Sequence, residues 1–329
     1  MRIGVDIMGG DTPPNELFSA VYDAAEAFAP SVSFVVFAQE KNIVSLETRT
    51  RANIEFVSAK EIITMEDPPL LAVRRKKESS ICLGIKALKE KKIDAFVSLG
   101  NTGALIASAM MALPTLPSIE RAALIATLPT AEERVSVLDV GATVGCKPHH
   151  MVQFSRLGAA YKKCIEGVEL PRVGLLNIGV EQQKGTGELR DAYRQLEALT
   201  QEGHFHFVGN VESTEVFRGQ VDVLVTEGFT GNVFLKTVEG VSTFIVDYLQ
   251  QAIAEHLDSE EVRRALEELK TKIHYAEYPG GLLLGVDGVV VKCHGKSSPK
   301  ALFNGIKGAK ACVENNVVSK VSACLLHSS

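Results

Sequence analysis

The chain has 329 residues, a formal net charge of −5, and a composition that is 46% hydrophobic and 23% charged. These values are ordinary for a folded globular protein, and they exclude a disordered or fibrous chain. Such a length allows one or two domains with a sizeable core.

Neither a membrane span nor a secretory signal is predicted. The longest weakly polar run, GALIASAMMALP, ends at Pro114 after about a dozen residues, whereas a span needs roughly 20. The N-terminal MRIGVDIMGGD places Asp6 inside its first apolar run and has no cationic lead before a long apolar core. The six cysteines form no C-x-x-C pair, which favours reduced thiols. We therefore expect a cytoplasmic protein.

No metal ion or other cofactor is predicted. Cys146, His149 and His150 in GCKPHH come nearest to a metal cluster, but they lack a second ligand pair at zinc spacing. The P-loop, dinucleotide and serine-elbow motifs all fail: GATVGCK spaces its glycines too closely, Arg190 replaces the third glycine in GTGELR, and G-x-S-x-G does not occur.

In chain order, short apolar runs alternate with helical segments. The runs are RIGVDIM, SFVVFA, NIEFVSA, DAFVSLG, AALIATLP, VSVLDVGA, RVGLLNIG, FHFVGN and DVLVTEG. Near-continuous apolar runs of this length are typical of parallel strands that are buried on both faces. Helices are predicted at 15–28, 80–91, 149–163 and 187–201, where they would cover both faces of one sheet. No linker divides the chain, so we predict a single α/β domain over 1–329.

Residues 239–273 break the alternation and predict a projecting pair of amphipathic helices with a break near Asp258. The first carries one apolar stripe: Val241, Phe244, Ile245, Tyr248, Leu249, Ala252, Ile253 and Leu257. Such a hairpin could pack on its own sheet, pair with a second subunit in a homodimer, or contact a membrane surface as a peripheral element.

Residues 74–92 form a basic segment that opposes the net charge of the chain. It has two interpretations, a solvated helix face or a docking surface for an acidic partner. Nucleic acid is not a predicted partner, because the segment has no aromatic side chain for base stacking.

Glycine-rich turns follow six of the predicted strands, and SLGNTGA is representative. In an open α/β sheet such turns gather at the carboxyl ends of the strands, where ligands bind. Glycine permits close approach of the backbone, and helix N-termini favour anions. These turns and their flanks also carry polar side chains, so we predict one shared anion site: Asp6, Asp11, Asn101, Asp139, Asn177, Lys184, Asn232 and His294.

These motifs together resemble one known family. DIMGGD, SLGNTGAL, LDVGA, LLNIG with KG downstream, VGNVE, GFTGNV with LKTVEG, and HGKSS occur in order along nearly the whole chain. The set is similar to that of the bacterial phosphate acyltransferases of phospholipid synthesis. The resemblance implies transfer of a fatty acyl group from acyl carrier protein to orthophosphate. It also implies a three-layer α/β/α sandwich with a Rossmann-like, largely parallel sheet related to isopropylmalate dehydrogenases, a homodimer, and loose attachment to the cytoplasmic membrane face.

Direct attack of phosphate on a thioester requires positioning and electrostatic stabilisation, and no covalent enzyme intermediate. On this basis, Lys184 and the amides of Gly9, Gly10, Gly100 and Gly103 are predicted to hold phosphate. Asn101 and Asn232 would face the oxyanion, His294 would protonate the leaving thiolate, and Asp139 and Asp6 would orient donors. Asp11, Thr102, Asn177 and Gly179 complete the predicted phosphate and substrate site. Because carrier proteins are acidic, the basic segment becomes a predicted docking surface through Arg74, Arg75, Lys76 and Lys77.

Three alternatives remain open at this point. A phosphotransacylase acting on coenzyme A thioesters uses the same chemistry with a small donor. A metal- and nicotinamide-dependent hydroxy acid dehydrogenase is suggested by the fold alone. A third interpretation is a non-enzymatic sensor of small anions, with helices 239–273 as its output surface.

Overall fold

The structure is a computed structural model that describes residues 1–48, 50–253, 259–273, 280–294 and 298–326. Its strands are β1 (Arg2–Asp6), β2 (Ser33–Ala38), β3 (Ile54–Ser58), β4 (Ala95–Ser98), β5 (Ala123–Pro129), β6 (Arg134–Leu138), β7 (Arg172–Leu176), β8 (His206–Val211), β9 (Val223–Val225), β10 (Gly281–Leu284) and β11 (Val289–Lys292). Its α-helices are α1 (Pro14–Ala27), α2 (Glu40–Glu47), α3 (Pro69–Arg75), α4 (Ser80–Lys89), α5 (Thr102–Ala112), α6 (Pro148–Glu166), α7 (Gly187–Leu199), α8 (Gly228–Ala252), α9 (Glu260–Ile273), α10 (Pro299–Glu314) and α11 (Val317–Leu326).

All described strands join one sheet in the order β3-β2-β1-β4-β11-β10-β5-β6-β9-β7-β8. The neighbours from β3 to β11 pair in parallel, and so do those from β6 to β8. Between these two groups, β10 is antiparallel to β11 and β5, and β5 is antiparallel to β6. The largely parallel sheet is therefore confirmed, but its two parallel groups run in opposite directions.

Helices cover both faces of the sheet, which confirms the three-layer architecture. One face forms the largest core cluster, with α1, α6, α7, α10 and α11 packed on it. On the other face, α3, α4 and α5 cover the β1–β4 half and α8 covers β5 and β6. The nine apolar runs each contain a strand, and most are buried on both faces. The exceptions are β3 and β8, the edge strands, which are partly exposed.

The helical stretch that was predicted to begin at residue 239 begins at Gly228 instead. The GFTGN turn forms the first turn of α8, and the Glu227 side chain caps it by accepting bonds from the Phe229 and Thr230 amides. Helix α9 packs against α8 and buries Leu266. The predicted break at Asp258, with Leu257, lies outside the described residues. Four members of the predicted stripe remain exposed in the single chain: Val241, Phe244, Ile245 and Tyr248.

The expectation of six reduced thiols is corrected by the structure, which joins Cys164 of α6 to Cys324 of α11 in a disulfide. The two cysteines are 160 residues apart, and packing of α11 on α6 brings them together, which no local spacing reveals. Among the described helices, none is long and apolar enough to cross a membrane.

Candidate active site

A cavity of about 490 Å³ lies on the β5 face beneath α8. This volume is within the usual range for pockets that bind small ligands. Its lining mixes polar and apolar side chains, and polar residues of β5 and α8 such as Thr127 and Ser242 belong to it. We call the polar residues near the ends of β1, β4 and β11 and in the second turn of α8 the polar end, and the apolar residues of β5 and its neighbours the apolar wall.

The polar end carries four of the predicted site residues. Asp11 comes from the loop after β1, Thr102 from the first turn of α5, Asn232 from the second turn of α8, and His294 from the segment after β11. A fifth polar group, Lys292, is the last residue of β11. The structure thus brings together residues from widely separated parts of the chain.

The apolar wall follows β5, where alternate residues point to the same face. Leu124, Ala126 and Leu128 line the cavity in this way. Val140 follows β6, and further apolar side chains come from the 216–218 turn and α8: Phe217, Leu235 and Val238. Since these residues also belong to one hydrophobic cluster, the wall is continuous with the core.

Beneath the polar end lies a buried carboxylate, Asp6. It accepts hydrogen bonds from the Met8 amide at 2.9 Å and the Ser98 hydroxyl at 2.7 Å, and Ser98 in turn accepts one from the Gly100 amide at 3.1 Å. Burial raises the pKa of Asp6 to about 6, although these bonds and the nearby Lys292 charge oppose the rise. Asp6 therefore fixes the turns that follow β1 and β4.

Asp139 is equally buried, and its contacts are all to the backbone. It accepts bonds from the amides of Leu124, Gly141, Ala142 and Thr143. Burial raises its pKa while these four bonds lower it. Asp139 shapes the loop after β6 and lies outside the cavity lining, so its link to the site is through that loop.

Asn232 meets the same loop. Its Nδ2 donates to the Val140 carbonyl at 3.0 Å, which holds the amide at the cavity. The approach depends on Gly231, because a Cβ there would overlap the Asp139 carbonyl oxygen. Asn232 thus lines the cavity from the second turn of α8.

Asn101, the other predicted oxyanion donor, has a different set of contacts. Its Oδ1 caps α5 by accepting the Ala104 amide at 3.0 Å, and its Nδ2 donates to the carbonyls of Thr64, Met65 and Asp67. Both side-chain groups thus hold the 64–67 loop against the start of α5. Asn101 lies outside the cavity lining, and the structure assigns it this structural function.

The predicted glycines place two loops close together. Gly9 has a φ of +74°, and a Cβ on it would lie 2.7 Å from the Ile63 carbonyl oxygen. Gly100 and Gly103 are also tightly packed, against Ile81 and Pro69 respectively. Gly10 lies in the same loop as Gly9. These positions bring the loops after β1 and β4 to the polar end of the cavity.

The loop after β7 is not brought to the cavity, which corrects the prediction that all six turns converge. Asn177 is buried and donates to the carbonyl of Lys184 at 3.2 Å and to Asn210 at 3.1 Å. Lys184 is exposed, next to Gly179, and lies outside the cavity lining. The physical reason is position in the sheet: β6 and β9 separate β7 from β5, the strand along which the cavity lies.

The basic segment lies next to the cavity. It begins in the last turn of α3 and continues through α4, and the 64–67 loop before α3 contributes Met65 to the cavity lining. Arg74, Arg75 and Lys77 are exposed. Lys76 is held in the structure, since its Nζ bonds the Asp67 carboxylate at 2.6 Å and the Ile62 carbonyl at 2.8 Å. Three of the four predicted docking charges thus face outward beside the cavity.

One cluster elsewhere has the composition of a metal site: Glu120, His149 and His150. Glu120 Oε2 lies 3.2 Å from His149 Nε2 and 3.6 Å from His150 Nε2. However, His150 Nδ1 accepts the Lys147 amide at 3.2 Å, so the neutral ring carries its proton on Nε2, facing Glu120. This arrangement favours a histidine–carboxylate interaction over metal coordination.

Three lysines at the cavity were not predicted: Lys236, Lys272 and Lys292. A signal for Lys292 exists in the sequence, because it continues an apolar run, VVVK, in which a charged residue needs a reason to be buried. Lys236 lies in α8 within LKTVEG, one of the motifs that carry the family resemblance.

Comparison with known proteins supplies the family. A family model described as fatty acid synthesis protein matches residues 1–320. The chain is 40% identical to a phosphate acyltransferase of Chlamydia caviae, over 98% of this chain and 99% of the relative. This chain belongs to the phosphate acyltransferase family. It is 42% identical to the member from Brevibacillus brevis, over 96% and 95% of the two chains.

Membership confirms the resemblance predicted from the motifs and makes the chain an acyltransferase of lipid synthesis. A phosphotransacetylase from Streptococcus pyogenes shares the fold, with a TM-score of 0.61 at 15% identity over 97% of this chain and 94% of that one.

Proposed function

We propose that this acyltransferase moves a long-chain fatty acyl group from acyl carrier protein to orthophosphate, giving an acyl phosphate for phospholipid synthesis. The observation that carries the proposal is the division of one cavity into a polar end and an apolar wall. The polar end suits an anion and a thioester carbonyl, and the wall along β5 suits an alkyl chain, which gains about 0.8 kcal/mol per buried methylene.

In the proposed reaction, a phosphate oxygen attacks the thioester carbon, the carbonyl oxygen becomes an oxyanion, and the C–S bond then breaks. Phosphate is a sufficient nucleophile near neutral pH, and a thiol with a pKa around 8.5 is a good leaving group. The enzyme therefore needs no nucleophile of its own. Its contribution is to hold the reactants together and to stabilise the developing charge.

The residues at the polar end have matching chemistry. Asn232 Nδ2 and the free amides at the N-terminus of α5, which begins at Thr102, are donors for an oxyanion or a phosphate oxygen. His294 supplies the proton for the thiolate, and the Asp6 network holds the β1 and β4 turns in place. Gly295 to Ser297, which follow His294, lie outside the described residues.

We propose the basic segment as the docking surface for the carrier protein. Arg74, Arg75 and Lys77 are exposed beside the cavity, and two exposed apolar side chains of α3, Leu70 and Leu71, adjoin them. A mixed basic and apolar surface complements an acidic carrier protein that bears an acyl group.

We also propose that residues 1–329 act as one unit in a homodimer. The proposal of one unit rests on the cavity, because Asp11 and His294 both line it and come from opposite ends of the chain. The homodimer follows from the exposed α8 stripe, in which Phe244 and Tyr248 are 67% and 62% exposed. An apolar surface of this kind is typical of an interface, and a peripheral membrane contact at the cytoplasmic face is the alternative use of the same stripe.

The test is thiol release from palmitoyl-acyl carrier protein with and without orthophosphate, with palmitoyl-coenzyme A and acetyl-coenzyme A as competing donors. We expect phosphate-dependent release from the carrier protein, with acyl phosphate as the product. Reaction with a coenzyme A ester alone would favour the phosphotransacylase alternative. Phosphate binding without any thiol release would favour the sensor, and NADH binding would favour the dehydrogenase.

A further inference from the structure

We propose that Lys292 is the cation that binds the attacking orthophosphate, with Asp6 and Ser98 as the positioning residues that hold it and the adjacent loops. This inference rests on the proposed function, and it moves the phosphate-binding role from Lys184 to a residue of the central sheet.

Strand register places the three side chains in one row. In the parallel pairings, Asp6 is the partner of Ser98, and Ser98 is the partner of Lys292. Asp6, Ser98 and Lys292 are also the last residues of β1, β4 and β11. Neighbouring strands are about 4.8 Å apart, so the Asp6 and Lys292 backbones are about 10 Å apart with Ser98 between them. The row lies at the carboxyl ends of three adjacent strands, where ligands bind in such sheets.

The Lys292 side chain is 8% exposed and yet lines the cavity. Its Nζ donates to the carbonyl oxygens of Leu99, at 3.4 Å, and Cys293. An ammonium group has three donors, so these two bonds leave one for a ligand in the cavity. Burying this charge is costly without a compensating anion, and Asp6 supplies only part of the compensation because it is itself held by Met8 and Ser98.

The electrostatics favour an anionic ligand at this position. Burial lowers the pKa of Lys292 to about 8, while the nearby Asp6 and Cys293 oppose the fall and Lys236 adds to it. A bound phosphate would stabilise the protonated amine. It would also meet the N-terminus of α5 at Thr102, across the β4 turn that Ser98 anchors through Gly100.

Lys184 fits a phosphate-binding role less well than Lys292, because its side chain is exposed and lies outside the cavity lining. Lys236 lines the cavity but is exposed on α8. Among the described lysines that line the cavity, Lys292 combines burial with the register position next to two glycine-rich turns.

The experiment compares Lys292→Met with Lys292→Arg in the full-length enzyme, with palmitoyl-acyl carrier protein as donor. Loss of one charge-assisted hydrogen bond corresponds to about a 10- to 100-fold weaker interaction, so we expect Lys292→Met to raise KM for phosphate by that factor. KM for the acyl donor should change by less, and Lys292→Arg should recover part of the phosphate affinity. Lys41→Met, at an exposed lysine of α2 outside the cavity and the basic segment, is the matched control.

A second measurement does not depend on turnover. Calorimetric titration with inorganic phosphate should show weaker binding by Lys292→Met and, to a smaller extent, by Ser98→Ala, in proteins with wild-type circular dichroism spectra. In Ser98→Ala, a rise in KM for phosphate without a matching rise for the acyl donor would identify a positioning role and not a general loss of structure.

The outcomes separate the two proposals. If the wild-type enzyme turned over palmitoyl-acyl carrier protein but Lys292→Met kept its phosphate KM and binding within twofold, the Lys292 assignment would be overturned and the function would stand. A phosphate defect in Lys184→Met without one in Lys292→Met would also overturn it. If the wild-type enzyme bound phosphate through Lys292 but released no thiol, the proposed function would fail while the binding site remained.

Discussion

Replacement of Asp6 by asparagine tests the buried network through the pH dependence of stability. The asparagine Oδ1 can still accept the Met8 amide, and its Nδ2 can donate to Ser98, so the change mainly removes a titratable group. The wild-type carboxyl is fully buried, and burial raises its pKa from 3.8 to about 6. The structure thus predicts that ionisation of Asp6 weakens the native state.

The magnitude follows from linkage. Because the folded-state pKa lies above the unfolded value, the contribution of Asp6 is fully present below pH 3.8 and is lost as the pH rises through 6. At 1.36 kcal/mol per pKa unit, the total loss is about 3 kcal/mol. Lys292 does not titrate in this window, since its pKa of about 8 keeps it charged in both states.

The assay is urea unfolding of both proteins at pH 4, 5, 6 and 7. We expect the free energy of unfolding of the wild-type protein, relative to Asp6→Asn, to fall by up to about 3 kcal/mol between pH 4 and 7. Other titrating groups cancel in this difference because both proteins contain them. Asp23→Asn, which removes an exposed carboxyl of α1, is the matched control. A difference that stayed constant or rose with pH would refute the reasoning.

Four further predictions follow from the described contacts. Ala126→Phe places a ring in the apolar wall and shortens the space for an acyl chain, so the ratio of kcat/KM for octanoyl to that for palmitoyl donors should rise about tenfold or more. An unchanged ratio would contradict the assignment of this wall as the acyl site. Arg74→Glu with Arg75→Glu should raise KM for acyl carrier protein at low salt, with a smaller effect at high salt and on coenzyme A esters; an effect independent of salt would argue against docking. Gly231→Ala should lower the free energy of unfolding by about 1–3 kcal/mol in urea, because its Cβ would overlap the Asp139 carbonyl. Phe244→Glu should convert the proposed dimer to a monomer in light scattering. A wild-type protein that is already a monomer would contradict the proposal that the α8 stripe forms a dimer interface.

Much of the fold could be predicted from the sequence because parallel strands buried on both faces have a distinctive apolar pattern. The nine apolar runs each hold a strand. Strand β10 was not predicted, since GLLL is short and lies between glycines. Strand direction was also not predictable: the reversal depends on β10 and β5 pairing antiparallel with their neighbours, and no residue pattern encodes that pairing.

The candidate site could be predicted in part. Asp11, Thr102, Asn232 and His294 follow strand ends or begin helices, and the structure gathers them at the cavity. Asn101 and Asp139 also follow strand ends, but their polar atoms bond backbone groups and do not line the cavity. The sequence does not distinguish the two cases, because turns use the same residue types to satisfy their own amides and carbonyls. Lys292 ends the apolar run VVVK, and a charged residue in such a run needs a reason to be buried, so its position could have been predicted.

The antiparallel pairings at the centre of the sheet explain how one cavity acquires two different surfaces. Strand β5 pairs with β10 through Ala123–Ile125 and with β6 through Ala126–Pro129, so it passes from one half of the sheet to the other. Across β10, the carboxyl end of β11 lies level with the middle of β5, near Ile125, and presents Lys292 in one row with the ends of β1 and β4. Along the length of β5, the buried face of the second half continues as an apolar surface under α8. A sheet with all strands in one direction would place only polar turns at that edge. The antiparallel insertion therefore brings strand-end polar groups and an apolar face together, as the proposed reaction between phosphate and a fatty acyl thioester requires.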